Sequence, residues 1–199
     1  MGENSQDFTS LGKDVVSRLA SFFREYVHES DRACVILCAA KMDYLLVQIL
    51  TRFLLPSTSK DDELLDSEKA LGSFSSHILA CYRLGLIDAD LMRALNLLRR
   101  LRNSFAHETS SGSLDAAPHR DRIREMLAPL NFDNESEKSK KLFQNIKRSK
   151  PATEARVSFE TMMAVLSVRL ERTYHETRRV ATAYTGTLLP KTRKPDSPS

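Results

Sequence analysis

The sequence predicts an all-α protein, a bundle of about five main helices. Three observations carry this. Six Gly and seven Pro in 199 residues are too few for a turn-rich β-sandwich or a low-complexity chain. Leu, Ala, Arg and Met, all good helix formers, are abundant. Along the longer segments apolar residues recur at steps of three and four, the helical period.

The first helix is expected from about Thr9 to His28, where Leu11, Val15, Leu19, Phe22, Phe23 and Tyr26 form one stripe. Glu29-Ser30-Asp31 then breaks the chain and offers N-caps. The second helix is expected from Asp31 to Leu55, ended by Pro56. Its Val35, Leu37, Cys38, Met42, Leu45, Leu46, Ile49, Leu50 and Phe53 cover so much of the circumference that it must be central. Lys41, Asp43, Gln48 and Arg52 interrupt that surface, which argues for a core helix and against a membrane span. The polar, acidic stretch Ser57 to Asp66 reads as a mobile loop.

Ser73 can cap a third helix through Ile78, Leu79, Tyr82 and Leu84, with Gly85 as its C′ residue. Asp88 can cap a fourth through Leu91, Leu95, Leu98 and Leu101 toward His107. Pro118 to Leu130 reads as a short helix, and Asn131 to Pro151 as a basic, solvated loop that could hold phosphates. A last long helix is expected over about Ala152 to Tyr184, with Arg178 and Arg179 as C-terminal cations. The reading is one domain over 1–185, then a basic tail, 186–199, too polar to fold.

Charge and cysteine narrow the function classes. Lys and Arg number 30 and Asp and Glu 26, a formal +4. Residues 1–70 hold 12 acids and 8 bases, whereas residues 71–199 hold 14 acids and 22 bases. A basic C-terminal part points to an anionic partner. Three cysteines build no disulfide framework. Cys34 and Cys38 share a helix face without a second ligand pair, so they read as buried hydrophobes rather than zinc ligands. A reducing cytoplasm is expected, and no metal or cofactor. The polar start, Met1 to Gln6, is unlike a signal peptide.

One segment concentrates chemistry: Leu98-Arg99-Arg100-Leu101-Arg102-Asn103-Ser104-Phe105-Ala106-His107. Asn103 and His107, four apart, share a helix face. Arg102 and His107, five apart, diverge by roughly 140° on an ideal helix. A loosened last turn or a symmetric dimer would bring them together. Arg is a permanent cation with a donor fork shaped for phosphate, and His transfers protons near neutral pH. Together they suffice for metal-independent RNA cleavage, with Arg102 on the phosphorane charge, His107 as acid or base, and Asn103 orienting. The plainer reading is a set of cations at the negative end of a helix dipole. Asp43, a carboxylate in an apolar helix, needs a partner; Arg102 or His107 would serve, either to orient the site or to neutralise a core pair. His119 and His175 read as surface residues without partners.

Leu71-Gly72-Ser73-Phe74-Ser75-Ser76-His77-Ile78, then Leu84-Gly85-Leu86-Ile87, then Arg99 to His107, together resemble the mannitol operon repressor family, with its "LGxFSxRI…ALGLI…LxxIRxIRNxFAH" pattern. Ser30-Asp31-Arg32-Ala33 and Ala39 to Asp43 match in style, so the resemblance covers residues 30–108. The Arg102-Asn103 to His107 string also resembles the Rx4–6H motif of the HEPN superfamily, helical bundles that are commonly dimeric and include metal-independent ribonucleases. His77 stands where the family pattern has Arg, and Ser104 where an acid is frequent. The resemblance implies an HEPN-like bundle, a homodimer, and contact with RNA or another nucleic acid, with Arg102, Asn103 and His107 at the site. The alternatives are a non-enzymatic regulator of the repressor type, or a helical module that binds a protein partner.

Overall fold

The computed structural model describes residues 26–107, 112–128 and 151–181. Five helices run through them: α1 (Asp31–Phe53), α2 (Phe74–Arg83), α3 (Ala89–His107), α4 (Ala117–Leu127) and α5 (Glu154–Glu176). Among the described residues there is no strand. The expected helix over Thr9 to His28 and the Lys138–Lys150 run fall outside the described residues, as does the tail; Tyr26 and Val27, which are described, are buried.

Every helix but α4 begins where the sequence supplies a side-chain cap; α4 follows Ala116, which makes none, and has a Pro in its first turn. At α1, Ser30 is extended and its side chain accepts from the Ala33 amide at 3.2 Å. Asp31 in the first turn and Arg52 in the last complement the helix dipole. At α2, Ser73 and Ser76 form a reciprocal capping box. Gly72 makes this possible, since a Cβ there would collide with the Asp66 carbonyl oxygen. At α3, the Asp88 carboxylate accepts from Leu91 N–H at 2.8 Å. At α2's other end Gly85 has φ 71°. The Gly85 amide reaches Tyr82 O at 3.0 Å and the Leu86 amide reaches Cys81 O at 2.9 Å, a Schellman ending that favours Gly.

The core is a single cluster with α1 in its middle, packed against α2, α3 and α5; α4 closes the gap between α3 and α5. Cys34, Val35, Cys38, Met42, Leu46, Ile49 and Leu50 are fully enclosed. By length and composition α1 could cross a membrane, yet the polar residues that interrupt it are used inside the bundle. Asp43 pairs with His77 of α2, and the Arg52 guanidinium donates to Thr177 O at 2.8 Å.

The stretch Ser57 to Asp66 is a loop, as expected; within it the Asp62 carboxylate accepts from the Leu64 and Leu65 amides, and Leu65 is buried. One boundary differs from expectation. The last helix stops at Glu176, well short of Tyr184. Arg52 takes the Thr177 carbonyl, and the Val180 amide donates to Phe53 O at 2.7 Å. These bonds to the end of α1 reward an extended chain over further helix. Arg178 and Arg179 therefore lie past the helix end, and the expected role as helix-terminal cations is not theirs.

A buried ionic cluster joins the two longest helices. Arg156 of α5 donates to Glu160 at 2.8 Å, to Asp31 at 3.0 Å and to the carbonyls of Tyr26 and Glu29 at 2.8 and 3.2 Å. Burial works to lower the Arg156 pKa, but Cys34, Glu160 and Asp31 around it hold it above the ordinary range. Glu160 is wholly enclosed. The pair was not singled out in the sequence, where an Arg and a Glu four apart look like any exposed helical pair.

Candidate functional site

The chemistry-bearing end of α3 is set by its buried stripe. Leu91, Ala94, Leu95, Leu98, Leu101 and Phe105 face the core. Measured from Phe105 on an ideal helix, Arg102 and Arg99 fall about 60° and 120° to one side, and Asn103 about 160° round, near His107. Arg102 and His107 are exposed, while Asn103 is half-buried. The Arg102 guanidinium donates to the Asn103 side-chain oxygen at 3.1 Å.

Two depressions meet at Asn103. One, of about 330 Å³, lies between α1, the start of α2 and α3, and is lined by Ile36, Ala39, Ala40, Asp43, Phe74, Ser75, Arg99, Arg102 and Asn103. The other, more open, lies between α3 and α4 and is lined by Arg100, Asn103, Ser104, His107 and Arg122. Arg102 and His107 thus border different grooves. α3 remains helical to His107, so no loosened turn closes the angle between them. Within one chain the expected Arg–His pair is not assembled at a common point.

Asp43 has a different partner from the two expected. Its carboxylate meets His77 Nδ1 at 2.6 Å, with the His77 side chain buried and that of Asp43 one-third exposed. Neither Arg102 nor His107 pairs with it. Asp43 is on α1 and His77 on α2, so the bond clamps these helices beside the cleft. His77 Nε2 is buried without a partner. The sequence marks His77 only as a departure from the repressor-family pattern; its meeting with Asp43, 34 positions away, depends on how α1 and α2 cross.

Ser104 meets a side chain of α4. His119, expected on the surface, is buried. It stacks on Phe105 with ring centroids 4.4 Å apart. Its Nδ1 lies 2.8 Å from the Ser113 carbonyl and its Nε2 3.1 Å from the Ser104 hydroxyl. A carbonyl only accepts, so Nδ1 donates to Ser113 O, while Nε2 and the Ser104 hydroxyl share the second hydrogen bond. His175, half-buried, lies edge-on to Tyr174.

Electrostatically the end of α3 is basic. Arg99, Arg100, Arg102 and Arg122 have no carboxylate within ion-pair distance among the described residues, and Arg99 Nε and Arg122 Nη1 are buried without hydrogen-bond partners. Arg99 and Arg122 carry no distinguishing signal in the sequence, because only the packing shows which cations lack counter-charges. Cys34, Cys38 and Cys81 are buried free thiols. Burial pushes the Cys81 thiol up to about 12 and Cys38 well above its ordinary value. Among the described residues no group of three His, Cys, Asp or Glu could hold a metal ion.

No family model and no curated protein matches the chain. A solved structure does: a chain of the MtlR–HPr complex from Escherichia coli superposes with a TM-score of 0.54, at 17% identity, over 81% of this chain and 99% of that one. At that identity the likeness concerns the path of the backbone. The chain is an all-α bundle with an MtlR-like fold.

Proposed function

We propose that this chain is a non-enzymatic regulator of the mannitol-repressor type that works by docking a protein partner. The observation that carries the reading is the correspondence with nearly the whole of a chain solved in the MtlR–HPr complex. The residue block over 30–108 that resembles the repressor family points the same way. The separation of Arg102 from His107 into two grooves supports a binding role over a catalytic one, because acid–base catalysis needs the groups within reach of one scissile bond. The partner has the chemistry of HPr, a folded protein rather than a nucleic acid. Titration calorimetry of the full chain against purified HPr tests this: saturable one-to-one binding is expected, and no heat at any accessible concentration overturns it.

A second reading, contact with RNA, is favoured by the unpaired guanidiniums of Arg99, Arg100, Arg102 and Arg122 around one helix end. Cleavage would need a homodimer whose two-fold axis brings Arg102 of one copy to His107 of the other. Such an enzyme would ignore EDTA and lose about 10²–10⁴ in rate on His107→Ala. Sedimentation showing only monomer, with no RNA cut, removes cleavage; RNA that fails to shift in a gel with the chain removes the RNA reading altogether, and both leave the first untouched.

A further inference from the structure

The geometry points to a binding site for a small phosphomonoester in the cleft between α1, the first turn of α2 and α3. The site is independent of the partner proposed above. Four features converge on it. The first is charge: Arg99 and Arg102 border the cleft, and among the described residues neither has a carboxylate partner. Arg99 Nε is buried with nothing to receive its hydrogen.

The second feature is the start of α2. Its cap uses Ser73 to take the Ser76 amide, which leaves the amides of Phe74 and Ser75, too early in the helix to have intrahelical acceptors. Both residues border the cleft. They add the positive end of a ten-residue helix to the two guanidiniums. Gly72 holds this turn in place, since any side chain there would strike the Asp66 carbonyl oxygen.

The third is that the one acid lining the cleft among the described residues already has a hydrogen-bond partner. Asp43 is bound to His77 at 2.6 Å, so one of its oxygens is turned toward α2 and away from competition for the arginines. The fourth is shape. The wall opposite the arginines is apolar, with Ile36, Ala39, Ala40 and the Phe74 ring. A volume of about 330 Å³ sits at the small end of ligand pockets, which begin at roughly 300 Å³.

These features select the ligand class. Two planar forks and two amides supply more donors than a carboxylate's two oxygens can accept. A phosphomonoester carries about −1.5 to −2 charges and three terminal oxygens, enough to engage both arginines at once. The apolar wall asks for a compact, planar or aliphatic body on the ester oxygen. Asn103, whose side-chain oxygen holds Arg102 at 3.1 Å, fixes the direction of one fork.

The test uses the full chain, with phenyl phosphate and inorganic phosphate as probes, followed by calorimetry and ³¹P NMR. Phenyl phosphate is expected to bind at one saturable site, more tightly than inorganic phosphate because its ring meets Phe74. Arg102→Gln, at an exposed position, should weaken binding by roughly ten- to a hundredfold, the worth of one charged hydrogen bond. Arg99→Gln should do the same, its fold checked by circular dichroism. Arg124→Gln, on the exposed face of α4, should leave binding unchanged. Absence of saturable phenyl phosphate binding overturns the site, as does binding that survives Arg102→Gln or falls equally in Arg124→Gln. HPr binding is measured separately, so either reading can fail without the other.

Discussion

Replacing Arg156 by Met removes four hydrogen bonds and the counter-charge of two acids in one step. In the wild type the guanidinium spans Glu160, Asp31 and the carbonyls of Tyr26 and Glu29 at 2.8–3.2 Å. Glu160 has no solvent exposure, so it cannot recruit water once Arg156 is gone. Asp31 is about one-quarter exposed and keeps its bond from the Leu114 amide at 2.9 Å, so the loss falls mainly on Glu160. Breaking one side of a buried pair costs about 3–5 kcal/mol. A chain of this size loses about 2–4 °C in Tm per kcal/mol, and the expected fall is therefore roughly 6–20 °C. Differential scanning calorimetry at neutral pH measures it. Adding Glu160→Leu should restore much of the loss, since a well-packed apolar pair can match a buried ion pair. A single mutant melting within a degree of wild type would refute the view that this cluster ties α5 to the start of α1. So would a double mutant no better than the single one.

Further outcomes follow from burial and pairing elsewhere. Leu46→Asp should abolish the cooperative melt, because Leu46 is fully enclosed in α1 and an unpaired carboxylate has no stable place there. Asp43→Ala should cost about 1–3 kcal/mol by stranding the buried His77. Arg102→Ala and His107→Ala, both exposed, should stay within about 0.5 kcal/mol of wild type; a thermal melt that reverses this order would put Asp43 back with Arg102. Cys81 has its folded pKa raised from 9.0 to about 12 by burial. The unfolded chain therefore loses this proton first, and stability should fall as pH rises through that window by up to about 1.4 kcal/mol per unit. Denaturant melts at pH 8, 9.5 and 10.5 show it, and a flat profile would mean the thiol is not enclosed.

The all-α class, the starts of α1, α2 and α3, the Gly85 ending and the centrality of α1 were legible in the linear order of residues. Each depends on contacts within a few positions: Ser30 with Ala33, Ser73 with Ser76, Asp88 with Leu91, or a stripe at steps of three and four. Such interactions are short-ranged, so the sequence contains both partners side by side. The candidate residues Arg102, Asn103 and His107 were legible as types at a spacing, and their divergence of about 140° follows from helical geometry alone.

Tertiary structure decided what those residues can do. That Asp43 pairs with His77, 34 positions away, and not with Arg102, depends on how α1 and α2 cross. Ser104 is held by His119 from the next helix, and the α5 end is drawn off by Arg52 and Phe53 of α1, more than 120 positions earlier. Even the distinction between an exposed helical ion pair and the enclosed Arg156–Glu160 pair came only from packing. Helix-level rules say which way a side chain leaves its own axis. Which charge meets which, and which arginine is left without an acid, is a property of the distances between helices, and those arise only when apolar faces from distant parts of the chain are buried together.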